Sequence, residues 1–246
     1  QKIISASTGN RFSGFLAGAA VTAALQSSTA TTLIVTSFAN KKLIGTAAAL
    51  AVVMGADVST TLIAQILTLD LSLLSPALLC FGIVMHMRNE QGGRKRHIAR
   101  VLIGIGLMLL SLTLIREASA PLQGSKILPL ILAPLNNEPV LAILVAAILG
   151  WLLHSSLATV LLFASFASGG LISLHLGTFL ILGANIGAAF VPFVANYNSS
   201  PAARRIPAGN LLMRIIVASL SVPFVTEILM IMDHYVSEPG RQLLVF

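Results

Sequence analysis

The sequence predicts an all-α polytopic membrane protein: an inverted repeat, each half a re-entrant helical hairpin plus a broken transmembrane helix and flanking helices. Three observations predict it. The chain is made of long apolar runs, it contains a gapless internal duplication, and its basic residues segregate to one side on only one path through a bilayer.

Composition comes first. The 246 residues are 56% hydrophobic and 9% charged, with a mean hydropathy of +0.93. A soluble domain needs a larger charged surface, and a soluble helical core would lack the polar face to cover it. Segments 71–87, 101–115, 140–153 and 211–232 are nearly free of charge. About 20 largely apolar residues cross a bilayer as a helix, and these runs reach or approach that length. The net charge of +7 does not point to nucleic acid, because the basic residues sit in short clusters between apolar runs, as in cytoplasmic loops. Cys80 is the single cysteine, so no intrachain disulfide forms. No signal-peptide pattern opens the chain. Its ends, 1–10 and 236–246, read as pieces of a longer protein.

The duplication follows from sliding the chain by 128 positions, which lays Gln26–Leu62 over His154–Phe190 with 12 of 37 pairs identical. Membrane composition produces chance Leu, Ile and Ala matches. It does not readily align Ser27-Ser28 with Ser155-Ser156, Ala30-Thr31 with Ala158-Thr159, and Gly55-Ala56 with Gly183-Ala184. Weak internal repeats mark many secondary transporters. Each copy holds an apolar stretch interrupted at Gln26–Thr32 or His154–Val160, then a longer one interrupted at Gly55–Thr61 or Gly183–Ala189. Interruptions are costly in lipid and are tolerated where they line a protein-enclosed cavity.

Charge counting selects the path. Arg214 lies inside an apolar span and is set aside, leaving fourteen of the fifteen Lys and Arg. If both Ser-Ser segments cross fully, six fall on one side and eight on the other. If both are re-entrant, eleven share one face and only Arg116, Lys126 and Arg241 lie opposite. The hairpin path is therefore expected. Repeat 1 (1–115) has a hairpin at 12–40 dipping in from the cytoplasm, a broken helix at 43–69, and helices at 71–87 and 101–115 flanking a cytoplasmic loop at 88–100. An extracytoplasmic linker spans 116–137. Repeat 2 (138–246) has a hairpin at 139–168 entering from outside, a broken helix at 171–196 and a helix at 208–232.

A hairpin tip at mid-membrane points the N-terminus of its returning helix, with free N–H groups and roughly half a positive charge, at the bilayer centre. Ser27, Ser28, Thr31, Ser155, Ser156 and Thr159 add hydroxyls. Such a site is rich in neutral donors, is expected to contain no Arg or Lys, and suits a small oxyanion that must also be released. The same hydroxyls and unwound carbonyls are oxygen ligands for Na⁺. Asp57 is the acidic residue deep in a repeat core, and an intramembrane carboxylate costs at least ~2.5 kcal/mol. A cation-ligand role for Na⁺ or a proton is expected of it, against the alternative of a helix cap. The second copy has Asn185 there.

The blander readings stay open elsewhere. Gly55, Gly183 and Gly187 serve either the breaks or close helix packing. His154 replaces Gln26 and either lines the site, titrates or bonds within its hairpin. His86, His97, His175 and His234 share no metal-like spacing.

The duplicated Gln-Ser-Ser hairpin and the Gly-Ala-Asp/Asn stretch resemble the type II sodium–phosphate cotransporter family, particularly its bacterial members. Leu69–Pro76 and Ala202–Arg205 carry the resemblance across nearly the whole chain. It implies a multi-pass transporter of the bacterial inner membrane, moving inorganic phosphate coupled to sodium ions by alternating access, with no catalytic activity and no other cofactor. The phosphate set is expected at Ser27, Ser28, Thr29, Ser155, Ser156 and Asn185, and the cation set at Gln26, Thr31, Asp57, Thr60, His154 and Thr159. Two departures, His154 for Gln and Asp57 for Asn, bear on the coupling ion. The oligomeric state does not follow, a dimer being one option. Competing readings are a dicarboxylate carrier on the same architecture, proton-coupled phosphate export, an intramembrane serine hydrolase and a non-transporting scaffold. The hydrolase fits poorly, because His154 and Ser155 are adjacent and point to different helix faces.

Overall fold

Each repeat copy begins with a helix that is stopped by a residue twisted into the left-handed region. In the computed structural model, which describes residues 10–67, 73–89, 93–123, 127–235 and 242–243, helix α1 spans Arg11–Leu25. Asn10 starts it by accepting from the Phe12 N–H, while the Ser13 hydroxyl accepts from the Asn10 N–H, both at 3.3 Å. This reciprocal pairing satisfies donors that the first helical turn leaves open. Gln26, at φ 54°, ends α1. Ser27 is extended and caps α2 (Ser28–Asn40) by accepting from the Ala30 N–H at 3.1 Å.

The second copy repeats this construction. Helix α7 (Pro139–Leu153) ends at His154, also at φ 54°, and extended Ser155 caps α8 (Ser156–Ser168) through the Ala158 N–H at 3.2 Å. The first helices are both 15 residues long and the second both 13. Both second helices close on a positive-φ residue, Lys42 or Gly170. The Leu43 N–H then donates to the Phe38 carbonyl and the Leu171 N–H to the Phe166 carbonyl, each at 2.9 Å. The stretches expected as hairpins, 12–40 and 139–168, each hold two helices joined by such a turn.

The long helices that follow differ from expectation. Helix α3 (Thr46–Leu67) and α9 (Leu174–Ala195) each run 22 residues without a break. The expected broken helices at 43–69 and 171–196 are corrected to continuous ones. No proline lies within Gly55–Thr61 or Gly183–Ala189, and the glycines serve contact rather than unwinding. A methyl group on Gly55 would overlap the Phe15 carbonyl of α1, and one on Gly183 would overlap the Ile143 carbonyl of α7. These are the same pair of repeat positions. Small residues allow backbones to approach closely where helices have lipid rather than water around them.

The remaining elements shift at their ends. Helix α4 is Leu74–Met87. Helix α5 runs Arg94–Gln123, so Arg94–Arg100 are its first turns and not part of a loop at 88–100; Lys and Arg are good helix formers. The expected linker is largely helical as well: α5 continues through 116–123, and α6 (Ile127–Leu132) leads into a 3₁₀ turn, Ala133–Asn137. The last expected helix, 208–232, becomes α10 (Pro201–Ser221), a 3₁₀ turn at Val222–Phe224 and α11 (Val225–Tyr235). Lys2, Lys126 and Arg241, residues 68–72 and the two expected terminal pieces, apart from Asn10 and residues 242–243, lie outside the described residues.

Two compact units emerge, residues 1–65 with 126–246, and residues 66–125. Compactness therefore divides the chain differently from the repeat. In the smaller unit α4 and α5 pair, with the Ser75 hydroxyl donating to the Gly106 carbonyl at 2.9 Å. In the larger, α9 is the central helix, packed on α7, α8, α10 and α2. Its core gathers Leu176, Phe179 and Ala184 of α9 with Ala142 and Ala146 of α7 and Phe163 of α8. A second cluster joins Val35, Val52, Val53 and Ile206 from α2, α3 and α10. Helices α3, α9 and the α10–α11 stretch are long and apolar enough to cross a membrane. Among the described residues there is no strand.

Candidate functional site

The duplicated serines divide into two jobs. Ser27 and Ser155 hold the turns, since their hydroxyls accept the Ala30 and Ala158 N–H groups. Their carbonyls receive the Thr31 and Thr159 hydroxyls at 3.1 and 2.8 Å. Those threonines are fully buried, and Thr31 also pairs with the Thr22 hydroxyl at 2.8 Å. The next serine in each copy, Ser28 or Ser156, is buried at the first position of its helix. Neither hydroxyl hydrogen-bonds to another described residue. The N–H groups of the first two helical positions also lack intrahelical acceptors. Each turn therefore presents one uncommitted hydroxyl, two backbone donors and the positive end of a helix dipole.

In the second copy these donors meet a cavity of about 70 Å³. Ser156, Leu157 and Val160 of α8 and Ile181 and Asn185 of α9 form one side, and Thr60, Thr61 and Ala64 of α3 come from the first copy. Leu243 completes the lining. The volume matches one small polyatomic solute or a few waters. Thr60 donates to the Ala56 carbonyl at 3.0 Å, which leaves its oxygen lone pairs free to accept.

Beside Asn185 stands the intramembrane arginine, Arg214. Arg214, on α10, donates from Nε to Asp57 Oδ2 at 3.2 Å and from Nη2 to Asp57 Oδ1 at 2.5 Å. Its Nη1 donates to the Asn185 carbonyl oxygen at 2.5 Å. The guanidinium therefore joins Asp57 and Asn185, which are the same position in the two copies. The cavity lining itself holds no Arg or Lys; Arg214 stands behind it, bonded to the backbone of the lining residue Asn185. A carboxylate on an apolar helix needs a partner, and a bidentate guanidinium is the strongest available. The expected cap role for Asp57 does not arise, because both of its oxygens face Arg214.

The expected site residues are thus distributed unevenly. Thr60, Ser156 and Asn185 come together around the cavity; Ser27, Ser28, Thr29, Gln26, Thr31, Ser155, Thr159, His154 and Asp57 do not line it. His154 is exposed, and its Nδ1 lies 2.9 Å from the Leu152 carbonyl oxygen. Gln26 and His154 instead share a backbone task, each held in a left-handed conformation that non-glycine residues rarely adopt. Arg214 was discoverable in principle. The cost argument that singles out Asp57 applies equally to a lone arginine inside the apolar run 211–232, and the two charges are opposite.

Comparison with known proteins gives a consistent picture. The Na⁺/Pi-cotransporter family model matches residues 1–117 and 120–233. The chain is 39% identical over 246 residues to the "Putative inorganic phosphate export protein YjbB" of Salmonella typhimurium, covering all of this chain and 45% of that one. To the Escherichia coli K12 protein of the same name it is 40% identical over 225 residues, 92% of this chain and 41% of that one. An "Uncharacterized protein YqeW" of Bacillus subtilis is 21% identical over 236 residues, 96% of this chain and 76% of that one. The chain thus spans somewhat under half the length of the YjbB relatives. No solved structure matches. With its apolar helices and a family match over nearly its whole length, this membrane protein belongs to the Na⁺/Pi-cotransporter family.

Proposed function

We propose that the full protein is a secondary active transporter that moves inorganic phosphate, coupled to sodium ions, by alternating access around the two serine-tipped turns. The observation that carries this reading is the cavity in which Ser156 and Asn185 of one copy face Thr60 and Thr61 of the other. It offers hydroxyl and backbone donors to an oxyanion and threonine oxygens to a cation. Transporters built from repeats hold their substrates at such interfaces, near half-helix ends.

The short helices support a re-entrant path. At 13 to 15 residues and about 1.5 Å per residue, α1, α2, α7 and α8 are too short to span about 30 Å of hydrocarbon. On the inverted path the exposed Lys41, Lys42, Arg88, Arg94, Lys95 and Arg100 share the cytoplasmic side. The YjbB relatives carry phosphate export in their names, which favours outward movement here too. Direction then depends on the net charge moved, at ~2.3 kcal/mol per charge per 100 mV.

The test is ³²P-phosphate flux by the full protein in liposomes, with sodium or choline salts on either side. Sodium-dependent flux that arsenate quenches and succinate does not is the expected result. Equal flux in choline would overturn sodium coupling. Quenching by succinate would point to the dicarboxylate reading, and an absence of flux in every gradient would remove the transport proposal.

A further inference from the structure

Arg214 lies on an apolar helix yet is tied to both repeat copies, to Asp57 of the first and to Asn185 of the second. Asn185 also lines the cavity, and so do Thr60 and Thr61, which sit three and four residues along α3 from Asp57 and so on its face of the helix. The pair is not sealed: the Arg214 and Asp57 side chains keep 14% and 26% of their accessible surface. An oxyanion entering this cavity would find neutral donors in its lining and, behind Asn185 and outside that lining, a cation whose charge is already matched.

That arrangement sets a competition. A guanidinium binds carboxylate and phosphate with the same planar, two-point geometry. Two unlike occupants can therefore exchange on it without a change of its position. A carboxylate displaced from its arginine is then left in a poorly hydrated setting, where it needs another cation.

We propose that Arg214 is a substrate-anion ligand held in reserve by Asp57. Entering phosphate takes over the guanidinium, and the Asp57 carboxylate so released receives the coupling cation. Arg214 then has the anion and Asp57 the cation, so neither is left without a counter-charge. Linkage makes the effect reciprocal: a cation at Asp57 tightens phosphate binding by the same factor that phosphate tightens cation binding. Anion and cation are coupled through one ion pair. The inference deepens the phosphate-transport reading and rests on it.

The test measures equilibrium binding of inorganic phosphate to the purified full protein in sodium chloride and in choline chloride, for wild type, Asp57→Asn and Asp57→Asn/Arg214→Gln. The double variant leaves no unmatched charge, so loss of folding does not confound it. Wild type should bind phosphate more tightly in sodium. Asp57→Asn should bind as tightly in choline as wild type does in sodium, with no sodium effect left. The double variant should bind about 10- to 100-fold more weakly than Asp57→Asn, the effect of losing a charge-assisted pair. Wild-type affinity in the double variant would overturn the inference alone, and so would sodium dependence that survives Asp57→Asn. No phosphate binding by wild type in either salt would overturn the transport reading and this inference with it.

Discussion

Replacing Ser156 with alanine is expected to cut phosphate flux by the full protein about 10- to 100-fold at sub-saturating phosphate while leaving its membrane insertion intact, and Ser28→Ala is expected to do the same. Both hydroxyls are buried at the start of a helix and are committed to no other described residue. Their removal leaves the caps untouched, because Ser27 and Ser155 make those. A donor lost from a desolvated site weakens binding of a charged ligand by about 10- to 100-fold. The neighbouring serines should behave differently. Ser27→Ala or Ser155→Ala removes a helix cap and should cost about 1 kcal/mol of stability, so flux per folded molecule should fall less. Initial ³²P-phosphate uptake, normalised to inserted protein, separates the two classes. Normal flux in both Ser28→Ala and Ser156→Ala would refute the assignment.

The second large effect concerns stability. Arg214→Gln alone should strongly destabilise the protein in detergent, by about 3–5 kcal/mol, because it strands the Asp57 carboxylate among apolar helices. Asp57→Asn should cost less, since the Asn185 carbonyl still accepts from Arg214 and the new amide oxygen can accept as well. The double variant Asp57→Asn/Arg214→Gln should recover most of the loss. Thermal unfolding of the purified full protein, followed by tryptophan fluorescence or aggregation, reads this cycle. Additive losses in the double variant would mean that the two side chains do not depend on each other.

These expectations show which features of the chain were legible before its structure and which were not. The helix–turn–helix units could be read closely because their ends are written locally. Asn10, Ser27 and Ser155 are strong cap residues, and the 128-residue offset reproduces one turn at the other. Gly55 and Gly183 were ambiguous for a physical reason. Glycine weakens a helix and also lets a second backbone approach, and only the positions of the Phe15 and Ile143 carbonyls decide between the two. The arginine-rich start of α5 is helical where a loop is expected, because charge counting locates a membrane face and says nothing about local conformation.

Arg214 was lost for another reason. Its partner is 157 positions away in sequence, so no window along the chain contains both charges. Counting loop charges for orientation also required leaving it out. The cavity was only partly legible: Ser156 and Asn185 stood out as repeat motifs, whereas Thr61 and Leu243 join it only through the packing of the larger unit.

Cysteine accessibility tests the central geometry most directly. Cys80 is exposed and is first replaced by alanine in the full protein. Ser28→Cys and Ser156→Cys are then introduced singly, and each is reacted with a membrane-impermeant thiol reagent applied from one side of the bilayer at a time. The account predicts that both cysteines are reachable through water, that each is reached from either face as the protein alternates, and that inorganic phosphate slows both reactions. Cysteines unreachable from both faces, or rates indifferent to phosphate, would contradict it.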